Sequence, residues 1–160
     1  MTSQRFVVRH RRTVAAVGAV GAGLLVLSAC DKPTPLATVT VGRDTVNSEA
    51  SCYKDGKALA SSSLEGCLKD KDAKTIKVDS DETVRFGVDP EIADKGWTLL
   101  MNGQPLTESS KKTYRTVPGS VFFNQQYGAT GNSTTVTILQ GGDSKAYGLW
   151  SFKLEKKKDS

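Results

Sequence analysis

From Thr38 onward the apolar residues of this chain recur at every second position, and that period limits what it can fold into. Val39 and Val41 are separated by Thr40, Ile76 and Val78 by Lys77, and Val84, Phe86 and Val88 by Arg85 and Gly87. A period of two predicts strands with one buried and one wet face. In Trp97–Met101 and Val136–Leu139 the apolar residues occupy both parities, the pattern of strands covered on both sides or bent at a bulge. Trp150, Phe152 and Leu154 alternate with Ser151 and Lys153 to make a last long strand.

Turn residues separate these runs: Asp79-Ser80-Asp81, Asn102-Gly103, Pro118-Gly119, Gly131-Asn132 and Gly141-Gly142. Asn-Gly and Gly-Gly supply the positive φ of tight hairpins. Gly141-Gly142 is the stronger signal, because Pro105 has no N–H to give a ladder after Asn102-Gly103. Runs near Val39, Val46, Ile76, Val84, Leu99, Tyr114, Phe122, Ile138 and Trp150 give roughly seven to nine short strands at hairpin spacing. The expected fold is therefore mainly β, an antiparallel immunoglobulin-like β-sandwich, with a small β-barrel as the alternative. One short helix is expected over 62–69, where Ser62 and Glu65 have capping-box spacing and Leu64 and Leu68 share a face.

Ahead of this domain lie Arg5, Arg9, Arg11 and Arg12, then an apolar run from Thr13 that closes on Leu27-Ser28-Ala29-Cys30. A membrane span needs about 20 apolar residues. This run is shorter, is broken by Gly18, Gly21 and Gly23, and ends in small residues, the anatomy of an export signal. Leu27-Ser28-Ala29-Cys30 resembles the lipobox of bacterial lipoproteins, and the segment from Asp31 to Val41 is similar to small actinobacterial lipoproteins, including families of unknown function. The resemblance implies that residues 1–29 are a signal peptide and that Cys30 becomes a lipidated N-terminus bearing a diacylglyceryl thioether. Two acyl chains anchor stably at about 0.8 kcal/mol per buried methylene, whereas one binds marginally. The expected location is the extracytoplasmic face of the cell membrane, reached through lipid on Cys30. Residues 30–37, with Pro33 and Pro35, read as a tether of about 20 Å; residues 38–155 read as the sandwich and 156–160 as a basic, disordered tail.

This boundary changes the composition of what remains. The chain carries 22 Lys and Arg against 17 Asp and Glu, but four of the arginines precede Cys30 and no acid does, so the formal charge of +5 falls to +1. The remaining charges are interspersed, which argues against a nucleic-acid partner. The single histidine, His10, also precedes Cys30. Without imidazole, Ser-His-Asp and Cys-His catalysis, His-ligated zinc and a His₂Cys copper site are excluded. The copper case matters because the strand pattern from Lys77 to Val88 also suits a cupredoxin-like barrel. No cofactor is expected.

Cys52 and Cys67 are the only thiols after Cys30, and on an oxidising face they are expected to form a disulfide. Asp89, Glu91 and Asp94 concentrate carboxylates after a strand and are the candidates for Ca²⁺ or acid–base work. The plainer reading is a solvated loop, since no Asp-x-Asp-x-Asp-Gly pattern is present. Phe122 and Phe123 are adjacent; in a strand they point to opposite faces, so one is expected on the surface as a candidate interaction site. Lys156-Lys157-Lys158 falls short of the roughly four to eight basic residues of a lipid-binding cluster and reads as a solvated end.

The expected role is a membrane-anchored binding or protein-interaction module at the cell envelope, not an enzyme, with an unknown envelope protein or ligand as partner. The alternatives are a small envelope enzyme working through carboxylates and a solute-binding accessory lipoprotein. The latter is disfavoured because the residues from Cys30 on are too few for two lobes and a hinge.

Overall fold

The computed structural model describes residues 33–142 and 144–158. The predicted signal peptide and the lipobox Leu27, Ser28, Ala29 and Cys30 lie outside the described residues. In chain order the strands are β1 (Ala37–Val41), β2 (Asp44–Ser48), β3 (Cys52–Tyr53), β4 (Lys74–Val78) and β5 (Thr83–Val88), followed by β6 (Trp97–Met101), β7 (Gln104–Pro105), β8 (Tyr114–Pro118), β9 (Ser133–Gly142) and β10 (Lys145–Lys156). One sheet has the order β2-β1-β5-β8; the other has the order β3-β10-β9-β6-β7, with β4 also paired to β10. Both sheets keep free edges, so the chain is the expected antiparallel β-sandwich and not a closed barrel. One pairing departs from that pattern: β4 runs parallel to β10.

Alternation explains the core. Val39 on β1 and Val84 and Phe86 on β5 are fully buried, as are Ile138 on β9 and Trp150, Phe152 and Leu154 on β10. Each such side chain contributes about 1.5–3 kcal/mol on burial. The segments with apolar residues at both parities are covered on both sides. Leu100 and Leu149 are buried yet stand apart from the main core cluster, on the parity opposite Leu99 and Trp150. Helix α1 (Ser61–Leu68) lies over this outer side of the six-stranded sheet, tied down by the Cys52–Cys67 disulfide with its Cα atoms 5.7 Å apart. Cys52 is paired with Leu149 in the sheet, and Leu59 N–H donates to Ala146 O at 2.8 Å.

The helix starts one residue earlier than expected, and its capping box is not made. Ala60 occupies the N-cap with no side-chain cap bond, while Glu65 binds Lys69 Nζ at 2.6 Å one turn further on. A second helix, α2 (Pro90–Asp94), was not expected from the sequence. Pro90 suits its first turn because a proline there loses no intrahelical hydrogen bond, and Ile92 and Ala93 seal that end of the core.

Phe122 and Phe123 correct the expected interaction surface. Pro118 ends β8, and Gly119–Phe123 forms a 3-10 helix, so strand alternation does not apply. A Cβ at Gly119 would run into the Asp79 carbonyl oxygen, and its N–H donates to Glu82 O at 2.7 Å, so the chain must turn tightly there. Phe122 goes fully into the core, 5.9 Å from the Phe86 ring, and Phe123 is half-buried against it.

Both predicted hairpins form, but one is displaced: Gly141 and Gly142 are the last residues of β9, paired with Ala146 and Lys145 of β10, so they end the strand and do not form the turn. Asn102 and Gly103, both with positive φ, do join β6 to β7. The β7 ladder stops after two residues, at Pro105. The basic tail is also corrected: Lys156 closes β10, and Lys157 donates from its backbone to Val78 O at 2.9 Å and from Nζ to Glu82 Oε2 at 2.9 Å.

Candidate functional site

Of the carboxylates singled out in the 89–94 segment, Asp89 fastens the start of the domain. Asp89 Oδ2 accepts from Leu36 N–H at 2.8 Å, and Asp89 N–H donates to Leu36 O at 3.1 Å, which extends the β1–β5 ladder beyond Ala37. Trp150 Nε1–H donates to Pro35 O at 2.7 Å from a fully buried indole. Pro35 is itself buried, so the expected tether of residues 30–37 is already part of the folded domain from Pro35 onward.

Glu91 works separately from Asp89. Its Oε1 accepts from Tyr53 O–H at 2.6 Å, and its backbone carbonyl accepts from Gln140 Nε2 at 2.8 Å. Burial, and then the hydrogen bond and negative charge of Glu91, push the Tyr53 hydroxyl up to about 12, so it stays a neutral donor. Asp94 is exposed at the end of α2. Among the described residues no group of three or more His, Cys, Asp or Glu side chains is placed to hold a metal ion. Asp89 and Glu91 therefore serve as local fasteners of the chain. A cavity of about 140 Å³ beside Glu91 is also bordered by Pro33, Pro35, Tyr53 and Asp55.

The more distinctive surface lies on the outer face of the β2-β1-β5-β8 sheet, which the sequence reading did not single out. Pairing across all four strands brings Asn47, Thr38, Gly87 and Tyr114 into one row. The next row is Thr45, Thr40, Arg85 and Thr116. Strand spacing makes each row about 14 Å wide, and the two rows lie about 7 Å apart. All these positions carry the parity opposite the buried Val39, Val84 and Phe86, so they face solvent.

Within the rows the side chains order one another. Thr38 Oγ1 donates to Asn47 Oδ1 at 2.9 Å, and the Thr40 and Thr45 hydroxyls are 3.0 Å apart. Arg85 is the only charged residue in either row. Tyr114 is 67% exposed, more than any other large apolar side chain among the described residues. The signal for this face was present in the polar half of the alternation, Thr38, Thr40, Thr45, Asn47, Arg85 and Thr116, but only the cross-strand register collects it into one surface.

Comparison with protein-family models, with curated proteins and with solved structures finds no match to this chain.

Proposed function

We propose that the protein is a lipoprotein anchored at the extracytoplasmic face of the membrane, and that its β-sandwich acts there as a binding module. The observation that carries this reading is the Leu27-Ser28-Ala29-Cys30 motif at the end of a basic and then apolar N-terminus. The fastening of the domain from Pro35 onward supports it: only four residues separate Cys30 from Pro35, so a lipid on Cys30 holds the sandwich within roughly 17 Å of the bilayer surface. The disulfide supports it as well, since such bridges persist in oxidising compartments. The role proposed for the domain is to present a ligand-binding surface at a fixed height above the membrane.

The test is fractionation of cells producing the wild-type chain or Cys30→Ala. The wild type should sediment with membranes and carry a mass increment for the acyl groups, and the variant should move to the soluble or secreted fraction. Full membrane retention of Cys30→Ala would refute lipid anchoring.

A further inference from the structure

We propose that Asn102 is a site of spontaneous covalent modification: its side-chain amide condenses with the Gly103 nitrogen and loses ammonia, and the product frees the 124–131 loop from the β6–β7 hairpin. The reaction needs only water and the chain itself, so it does not rest on a lipid at Cys30.

The dipeptide selects the site. Ring closure requires the backbone nitrogen of the following residue to reach the side-chain carbonyl carbon, and a glycine there puts no Cβ in the way. Asn102 is followed by Gly103, whereas Asn47 and Asn132 are followed by serine and Asn124 by glutamine. Asn102 is exposed, so water can complete the reaction. Asp55-Gly56 has the same positive φ at its first residue, but Asp55 is already an acid and has no ammonia to lose.

The fold holds this amide at both ends. Asn102 N–H donates to Thr135 O at 2.9 Å, continuing the antiparallel ladder that β6 and β9 form up to Met101 and Val136. In a regular ladder the Thr135 N–H would return to the backbone carbonyl of Asn102. The turn begins at that residue, with a φ of 49°, and the side-chain Oδ1 accepts from Thr135 N–H at 3.1 Å in its place. The Nδ2 end donates to Gly128 O at 3.0 Å, which joins the hairpin to the loop carrying Tyr127.

In the first step the Gly103 nitrogen attacks Asn102 Cγ. A bond forms between Gly103 N and Cγ, the Cγ–Nδ2 bond breaks, and the Gly103 amide proton leaves with Nδ2 as ammonia. Water then opens the cyclic imide at either carbonyl, leaving aspartate or isoaspartate at 102. Ring closure gives up the Nδ2 bond to Gly128 and reorients the carbonyl that Thr135 holds. At the modest net worth of such bonds, the fold should slow the reaction about tenfold. Neither product can donate to Gly128 O, because a carboxylate has acceptors alone. Two acceptors then face each other across the old contact, and isoaspartate also lengthens the turn by a main-chain methylene. The loop is thereby released.

The test incubates the full-length chain at mildly alkaline pH, native or in urea, and follows each asparagine by peptide mapping and mass spectrometry. Asn102 should convert before Asn47, Asn124 and Asn132, and about tenfold faster in urea than in the native chain. In urea, where folding plays no part, Gly103→Ala should slow the conversion, since its methyl group obstructs the attack. In the native chain Asn102→Asp should raise hydrogen exchange at Tyr127, Gly128 and Ala129, whose N–H groups are bonded within the loop, while the β9 and β10 amides stay protected. The proposal is overturned if Asn102 is not the first asparagine to convert, if native and unfolded chains convert at the same rate, or if Asn102→Asp leaves the exchange of the loop as in the wild type.

Discussion

The indole N–H of Trp150 donates to the carbonyl of Pro35 at 2.7 Å, across 115 residues of sequence. It joins the middle of the last strand to the residues just ahead of the first, and it does so in a buried setting where the carbonyl has no access to bulk water. Tyr53 packs on the same indole with ring centroids 6.0 Å apart, and a Cβ at Gly148 would lie 2.5 Å from that ring. The site is thus built around the tryptophan from three directions.

Trp150→Phe should retain an aromatic ring but leave the Pro35 carbonyl unsatisfied. The expected loss is about 1–3 kcal/mol from the hydrogen bond, with a further contribution from lost volume. Urea unfolding would measure the loss, and limited proteolysis should show faster cutting near residues 33–36. A variant with wild-type stability and wild-type protection of this segment would show that the bond does not fasten the start of the domain.

The Cys52–Cys67 bridge closes a loop of separation 15, for which chain entropy predicts roughly 3 kcal/mol. The double variant Cys52→Ala, Cys67→Ala should unfold at correspondingly lower urea, and α1 should lose hydrogen-exchange protection before the sheets do. In the wild type, thiol reagents applied under denaturing conditions should find both cysteines blocked until reductant is added. Free thiols in the folded protein would contradict the bridge.

Glu82 links the C-terminal end to the turn before β5. Its carboxyl is held below its ordinary value by the Asp79 backbone N–H, then by Lys157, while Lys157 is raised chiefly by its hydrogen bond to Glu82. A lowered carboxyl favours the folded state above its unfolded value of about 4.3, and this stability is lost as pH falls through the folded value. The raised ammonium favours the folded state below about 10.4, and its share is lost as pH rises through the folded value. Glu82→Gln should therefore be less stable than wild type near neutral pH, with the difference shrinking towards about pH 3. A gap between the two proteins that stays constant from neutral to acid pH would exclude this origin.

The sandwich was legible because alternation is local: the spacing Val84, Phe86, Val88 states which face is buried without reference to any other strand. The doubly covered strands were legible for the same reason, with Leu99 and Leu100 both apolar. What covers the outer side was not, since α1 arrives there through the Cys52–Cys67 bridge and its own residues carry only a weak apolar stripe. The 3-10 turn at Phe122 was hidden because its cause, the Asp79 carbonyl against Gly119, lies 40 residues away in sequence.

The sequence by itself determined the mainly β class, the pairing of Cys52 with Cys67 and the hairpin between β9 and β10, because each depends on residue type and short-range spacing. Tertiary structure alone decided that Asp89 fastens Leu36, that Lys157 closes on Glu82, that β4 joins β10 in parallel, and that Tyr114, Gly87, Thr38 and Asn47 stand in one row. Those relations depend on register between strands far apart in the chain. Register is set when the whole core packs at once, because a slip of one residue would turn every buried side chain of a strand out to solvent.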